Sequence, residues 1–121
     1  AFYSIAATSG GVVTITGARA FCSEDSVVWR LRLHFFDAAP SSAHVALADN
    51  VAFTISNPVN YLGSIDLPAM ADKGVYSSTE NDDIRKPFKC LGTDLFVGFE
   101  TLDAETAETA SMTIRLDLYA E

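Results

Sequence analysis

The sequence predicts an all-β protein: a single antiparallel β-sandwich, jelly-roll or Ig-like, of about seven or eight strands. Two stretches carry most of that expectation. Residues 27–35 alternate, with Val27, Trp29, Leu31, Leu33 and Phe35 pointing one way and Arg30, Arg32 and His34 the other. Residues 112–119 do the same, with Met112, Ile114, Leu116 and Leu118 inward and Thr113, Arg115, Asp117 and Tyr119 outward. Side chains of a strand alternate with a period of two, so each stretch reads as a strand with one buried face. The third observation is an absence. No segment shows a 3.6-residue period, so helix should be scarce.

Taken in order, residues 1–11 read as an N-terminal strand or arm, broken by Ser9, Gly10 and Gly11, and residues 12–121 as the sandwich domain. Residues 12–22 start β-branched (VVTIT) and then carry Gly17, Ala18 and Ala20, which predicts one long strand with a bulge or bend near Gly17. The polar turn at 23–26 delivers the chain into residues 27–35, so the two strands should form a hairpin. Its second strand ends at DAAP (37–40), because proline has no amide hydrogen to give a ladder. Residues 41–50 lack alternation and read as irregular. Residues 51–56 and 61–67 read as strands closed by Asn57-Pro58 and Pro68. Residues 69–85 are weakly patterned, with a short edge strand near 75–77 and SSTENDD (77–83) as loop. Residues 86–91 form a short strand at an edge, where Pro87 is tolerated. Residues 94–101 are apolar on both faces and should be a central strand. The acidic repeat in residues 102–111 reads as a solvated loop.

At 121 residues one domain is expected, since domains usually run about 100–150 residues. A chain of this size buries roughly two-thirds of its unfolded surface, so it needs no disulfide or metal to fold. The net charge of −8 argues against nucleic acid as a partner, which would call for a basic patch. No apolar run approaches the ~20 residues of a membrane helix, and no secretory signal is expected at the N-terminus, so a membrane is not an expected partner either. Cys22 and Cys90 each sit in an apolar strand-like segment and read as buried free thiols, with a disulfide between them left open.

No catalytic constellation emerges. His34 and His44 are the only candidate bases near neutral pH, and no nucleophile motif accompanies them. Both read as surface or interface histidines. Glu80, Asn81, Asp82 and Asp83 lack the order of a calcium loop and read as a solvated turn. The expectation is therefore a protein that is not an enzyme and takes no cofactor or metal. Arg30, Arg32 and Arg115 fall on outward faces, with Asp117 a cross-strand partner for one of them. They mark either a solvated face or a contact surface for an acidic partner or a second copy. Exposed aromatics, with Phe36, Phe96 and Tyr119 as candidates, would sharpen the second reading.

Five segments in order carry a resemblance: GARAFCSEDSVVWRLRLHFFDAAP (17–40), ADNVAFTIS (48–56), YLGSIDL (61–67), KPFKCLGTDLFVGFET (86–101) and SMTIRLDLYAE (111–121). As an ordered set they resemble small virion proteins of tailed bacteriophages. The resemblance implies a structural component, made in the host bacterial cytoplasm, with no catalytic residues. It implies a capsid decoration (cement) protein on the outer head surface, a homotrimer that binds the major capsid protein. The arm, with Phe2 and Tyr3, would then grip the shell. The candidate interface is Phe2, Tyr3, Arg30, Arg32, His34, Phe36, Arg115 and Tyr119. The alternative is a tail or fibre module that recognises a host receptor or carbohydrate through loop tips at 72–85 and 102–111.

Overall fold

Every helix-free stretch expected from the sequence stays helix-free: the described residues hold eleven strands and no helix. The computed structural model describes residues 3–6, 11–24, 27–39, 41, 45–46, 53–90, 92, 94–103 and 114–121, with residues 3–6 and 45–46 as backbone. The strands are β1 Tyr3–Ala6, β2 Val12–Cys22, β3 Leu31–Phe36, β4 Val45–Ala46, β5 Thr54–Ile55 and β6 Tyr61–Leu67. They continue as β7 Ala71–Asp72, β8 Ser77–Asn81, β9 Lys86–Lys89, β10 Asp94–Thr101 and β11 Ile114–Ala120. One sheet has the order β1-β10-β3-β6 and a second the order β11-β2-β8-β7, with β9 also on β2. The β1–β10, β11–β2, β2–β8 and β7–β8 pairs are antiparallel. The class is all-β and antiparallel, and two such sheets are consistent with the expected sandwich. A separate ribbon pairs β4 with β5.

The chain gathers into two compact units, residues 1–13, 33–65 and 88–100 in the first and 14–32, 66–87 and 101–121 in the second. In the first unit, Leu33 and Phe35 of β3 and Leu95 and Val97 of β10 are fully buried. Phe35 stacks on Phe88 with ring centroids 4.5 Å apart. Such a pair adds about 1 kcal/mol beyond the area it buries. The N-terminal segment is a strand, with Tyr3 opposite Val97 and Ala6 opposite Asp94 at the edge of its sheet. As expected, β10 lies between two neighbours, β1 and β3.

In the second unit, β2 changes phase halfway along. Val13 and Ile15 point inward, and so do Ala18, Ala20 and Cys22. The register explains the switch: Ala120 faces Ile15 and Tyr119 faces Gly17, which leaves Thr16 as an extra residue. This is the bulge foreseen near Gly17. Both cysteines are free and buried.

Three expectations are corrected. Residues 27–30 are not strand, and β3 pairs with β10 and β6 rather than in a hairpin with β2. In place of a ladder, the Val27 amide donates to the Ser77 hydroxyl at 3.0 Å, and the Trp29 and Arg30 carbonyls accept from Met70 and Leu102. These isolated bonds satisfy the backbone without pairing it to β2. Second, β4 is a short strand inside the stretch read as irregular. Third, residues 77–81 are a strand, not a loop. Its inward residues are the hydroxyls Ser77 and Thr79, both buried, with Thr79 donating to the Pro68 carbonyl at 2.7 Å. The turn before it, Lys73 to Tyr76, takes two of the residues read as an edge strand near 75–77. Gly74 there has φ 101, a left-handed conformation that glycine takes without strain.

Candidate functional site

The outward phase of β2, set by the bulge, builds a polar and aromatic face on the second unit. Across it run aligned rows: Arg115, Phe21 and Ser78 in one, Asp117, Arg19 and Glu80 in the next, then Tyr119 opposite Gly17. Directly opposed residues in an antiparallel sheet project from the same face, so these side chains meet. The Arg115 guanidinium lies 4.3 Å from the centroid of the Phe21 ring, and that of Arg19 lies 5.1 Å from the Tyr119 ring. Each is a cation–π contact of about 0.5–1 kcal/mol at an exposed site. Tyr76 adds a third ring, 6.2 Å from Phe21 and tilted by 47°.

Electrostatics on this face are local. Arg19 donates to Asp82 at 3.5 Å, and its Nε lies 3.2 Å from a Glu80 oxygen in a contact that is Coulombic rather than hydrogen-bonded. The Asp82 hydrogen bond, with its charge, raises the Arg19 pKa above the ordinary value. Arg115 donates to Asp117 at 3.2 Å and keeps 68% of its side chain exposed. A cleft of about 380 Å³ opens here, lined by Phe21, Cys22, Ser23, Tyr76 and Arg115. Such a place can hold a planar or ring-shaped group against aromatic faces and offer it a cation.

The predicted site residues divide. Arg115 and Tyr119 belong to this face, and Tyr119 is 44% exposed. Arg30 is exposed and Arg32 half-buried, and each is clamped by a carboxylate of this chain. Asp103 takes two bonds from the Arg30 guanidinium, at 2.9 and 3.0 Å, and Asp66 takes two from Arg32, at 2.6 and 3.2 Å. They carry little unspent charge for an acidic partner. His34 and Phe36 are corrected: both are buried, at 4% and 1% exposure. From Leu33 on, both faces of β3 are covered, and alternation in one strand cannot reveal what lies above its second face. The side chains of Phe2 and Tyr3, and all of His44, lie outside the described residues. So do residues 104–111 of the acidic segment.

What covers His34 is a compact polar group in the first unit. The Phe53 ring stacks on the imidazole at 3.8 Å and 14°. Nδ1 lies 3.1 Å from the Tyr61 hydroxyl and Nε2 lies 3.0 Å from Glu100 Oε1. With neutral imidazole, Nε2–H donates to Glu100 and Nδ1 accepts from Tyr61; protonation turns the second bond around. The three groups come from β3, β6 and β10, which neighbour one another in the sheet. Both ring nitrogens are engaged and one ring face is capped. This reads as a satisfied buried network that ties three strands together.

Glu80 and Asp82 face Arg19, and Asn81 accepts from the Asp83 amide at 3.0 Å. Among the described residues no group of three or more His, Cys, Asp or Glu side chains is placed to hold a metal ion. No helix among them is long and apolar enough to cross a membrane. Sequence reading missed Arg19, Phe21 and Tyr76. The signal for the first two was the expected bulge, which shifts them to the outward phase. No family model, curated protein or solved structure matches the chain.

Proposed function

We propose that this chain is a non-enzymatic structural protein of a bacteriophage particle, a decoration protein on the outer head surface that stabilises contacts between major capsid protein subunits. It docks through the outward face of β11, β2 and β8. The observation that carries this reading is the cluster of Arg115 on Phe21, Arg19 on Tyr119 and the neighbouring Tyr76. Arginine and the aromatics are the residues enriched in protein interfaces and at their energetic centres. On a chain of net charge −8, that cluster differs in character from an ordinary solvated surface. The phage-virion resemblance of the sequence supplies the partner class.

The test is sedimentation of the purified chain with heads that lack it, followed by imaging of the particles. A Tyr76→Ala/Tyr119→Ala double variant should lose at least about tenfold in head binding while keeping its far-UV circular dichroism. Undiminished binding by that folded variant would overturn the docking face. Density for the chain at the tail instead of the head would overturn the decoration role.

One feature favours a second reading, a tail or fibre module that recognises a carbohydrate. The cleft pairs two aromatic rings, Phe21 and Tyr76, with the exposed guanidinium of Arg115. Sugar rings lie on aromatic faces, and arginine offers hydrogen bonds to their oxygens. Saturable binding to immobilised host glycans, lost in Tyr76→Ala, would select this reading over the first.

A further inference from the structure

We propose that the free edge of β11 pairs with β11 of a second copy of this chain, joining two five-stranded sheets about a two-fold axis. Among the described residues, β2 is the only neighbour of β11. The opposite edge of the same sheet is β7, two exposed residues followed by Lys73 and Gly74, a short and blunted end. β11 is different. It runs seven residues, IRLDLYA, with no proline or lysine to discourage pairing. Its inward residues Ile114, Leu116 and Leu118 are only half-buried, while Ala18, Ala20 and Cys22 opposite them on β2 are buried. Among the described residues nothing covers this apolar row at a long edge.

The backbone phase says which residues would pair. Glu121 and Thr14 exchange both of their backbone hydrogen bonds, at 2.9 and 3.3 Å. In an antiparallel ladder such pairs alternate, so residues 119, 117 and 115 turn their backbone groups toward β2. The Tyr119 carbonyl accepting from the Thr16 hydroxyl fits that phase. Ile114, Leu116 and Leu118 therefore present their N–H and C=O groups to the open edge. A two-fold axis through any residue of β11 keeps this phase, and one midway between two residues does not.

Charge selects Leu116. With Leu116 opposite its own copy, Ile114 faces Leu118 and Arg115 faces Asp117, each twice by symmetry. Arg115 and Asp117 then form the non-hydrogen-bonded pair, in which Cα atoms come to about 4.5 Å and side chains are closest. Moving the axis one residue either way sets Arg115 against Arg115 or Asp117 against Asp117. The strand is thus complementary to itself in the Leu116 register, and a two-fold pairing uses up the β11 edge of both copies. A two-fold pair departs from the three-fold assembly implied by the phage resemblance.

Sedimentation equilibrium over a concentration series, at about 0.15 M salt to screen the net charge, should show a monomer–dimer exchange. Arg115→Asp and Asp117→Arg should each weaken the dimer by about tenfold or more, by setting like charges opposite one another. The double exchange Arg115→Asp/Asp117→Arg restores opposite signs and should recover most of the wild-type affinity. A mass that stays monomeric, a trimeric mass, or a double variant as weak as the single ones would each overturn the proposal. Amide hydrogen exchange on the unaltered chain provides the variant-free check. Protection at Leu116 and Leu118 should rise with protein concentration while that at Arg115 and Asp117 stays constant, and no rise at the first two would also overturn it.

Discussion

Asp103 holds Arg30 at three points: its carboxylate accepts from Nε at 3.0 Å, from Nη2 at 2.9 Å and from the Arg30 backbone amide at 3.0 Å. The side-chain bonds to Arg30 come first among the causes that bring the Asp103 pKa from 3.8 to about 2. A carboxyl whose folded pKa is depressed stabilises the fold above its unfolded value. That contribution is complete above about 3.8 and is lost as pH falls through about 2. An NMR titration should find the Asp103 carboxyl ionising near that lower value. Asp103→Asn should lower stability above about 3.8, where the contribution is complete, and converge on wild type as pH falls through about 2, which flattens the acid limb. An Asp103 midpoint at the ordinary carboxylate value would contradict the clamp.

The His34 network makes a graded prediction. Tyr61→Phe removes one hydroxyl and should cost about 1 kcal/mol in denaturant unfolding. His34→Ala removes a buried ring with its Phe53 stack and both hydrogen bonds, and should cost about 2–4 kcal/mol. If His34 instead stood on an outward face, both substitutions would fall within about 0.5 kcal/mol of wild type.

Ser77 isolates the role of the hydroxyl-lined strand β8. Ser77→Ala leaves the buried Val27 amide without its acceptor and should destabilise by about 1–3 kcal/mol. Ser78→Ala, one residue on and on the outward side, serves as the comparison and should cost no more than about 0.5 kcal/mol. Equal losses at the two positions, measured by chemical denaturation, would remove the account given for β8.

Much of the fold was legible. The bounds read for 12–22, 61–67 and 94–101 coincide with β2, β6 and β10, because period-two alternation and flanking Gly or Pro are local signals. What was not legible depends on other parts of the chain. The strand β8 is polar at every position, and it holds its place in the sheet because Val27 and Pro68 supply partners for its hydroxyls. His34 looked outward because its neighbours alternate, but Phe53, nineteen residues later, covers it. Of the candidate interface, Arg115 and Tyr119 were readable from their own strand. Phe21 and Arg19 needed the exact position of the bulge, which sets their phase.

That bulge has a consequence for how the chain tolerates change in length. Thr16 is the residue without an opposite number on β11, and it alone lets Ile15 and Ala18 share a face. Deleting it would leave an uninterrupted alternation in which one half of β2 must invert. Either Arg19 and Phe21 would be driven inward and Ala18 and Ala20 outward, or Val13 and Ile15 would be turned to water. The composition would be nearly the same and the surface offered to a partner entirely different. Thr16 works as a frame marker: one residue, with no contact of its own to a ligand, decides which half of the strand's alphabet the outside can read.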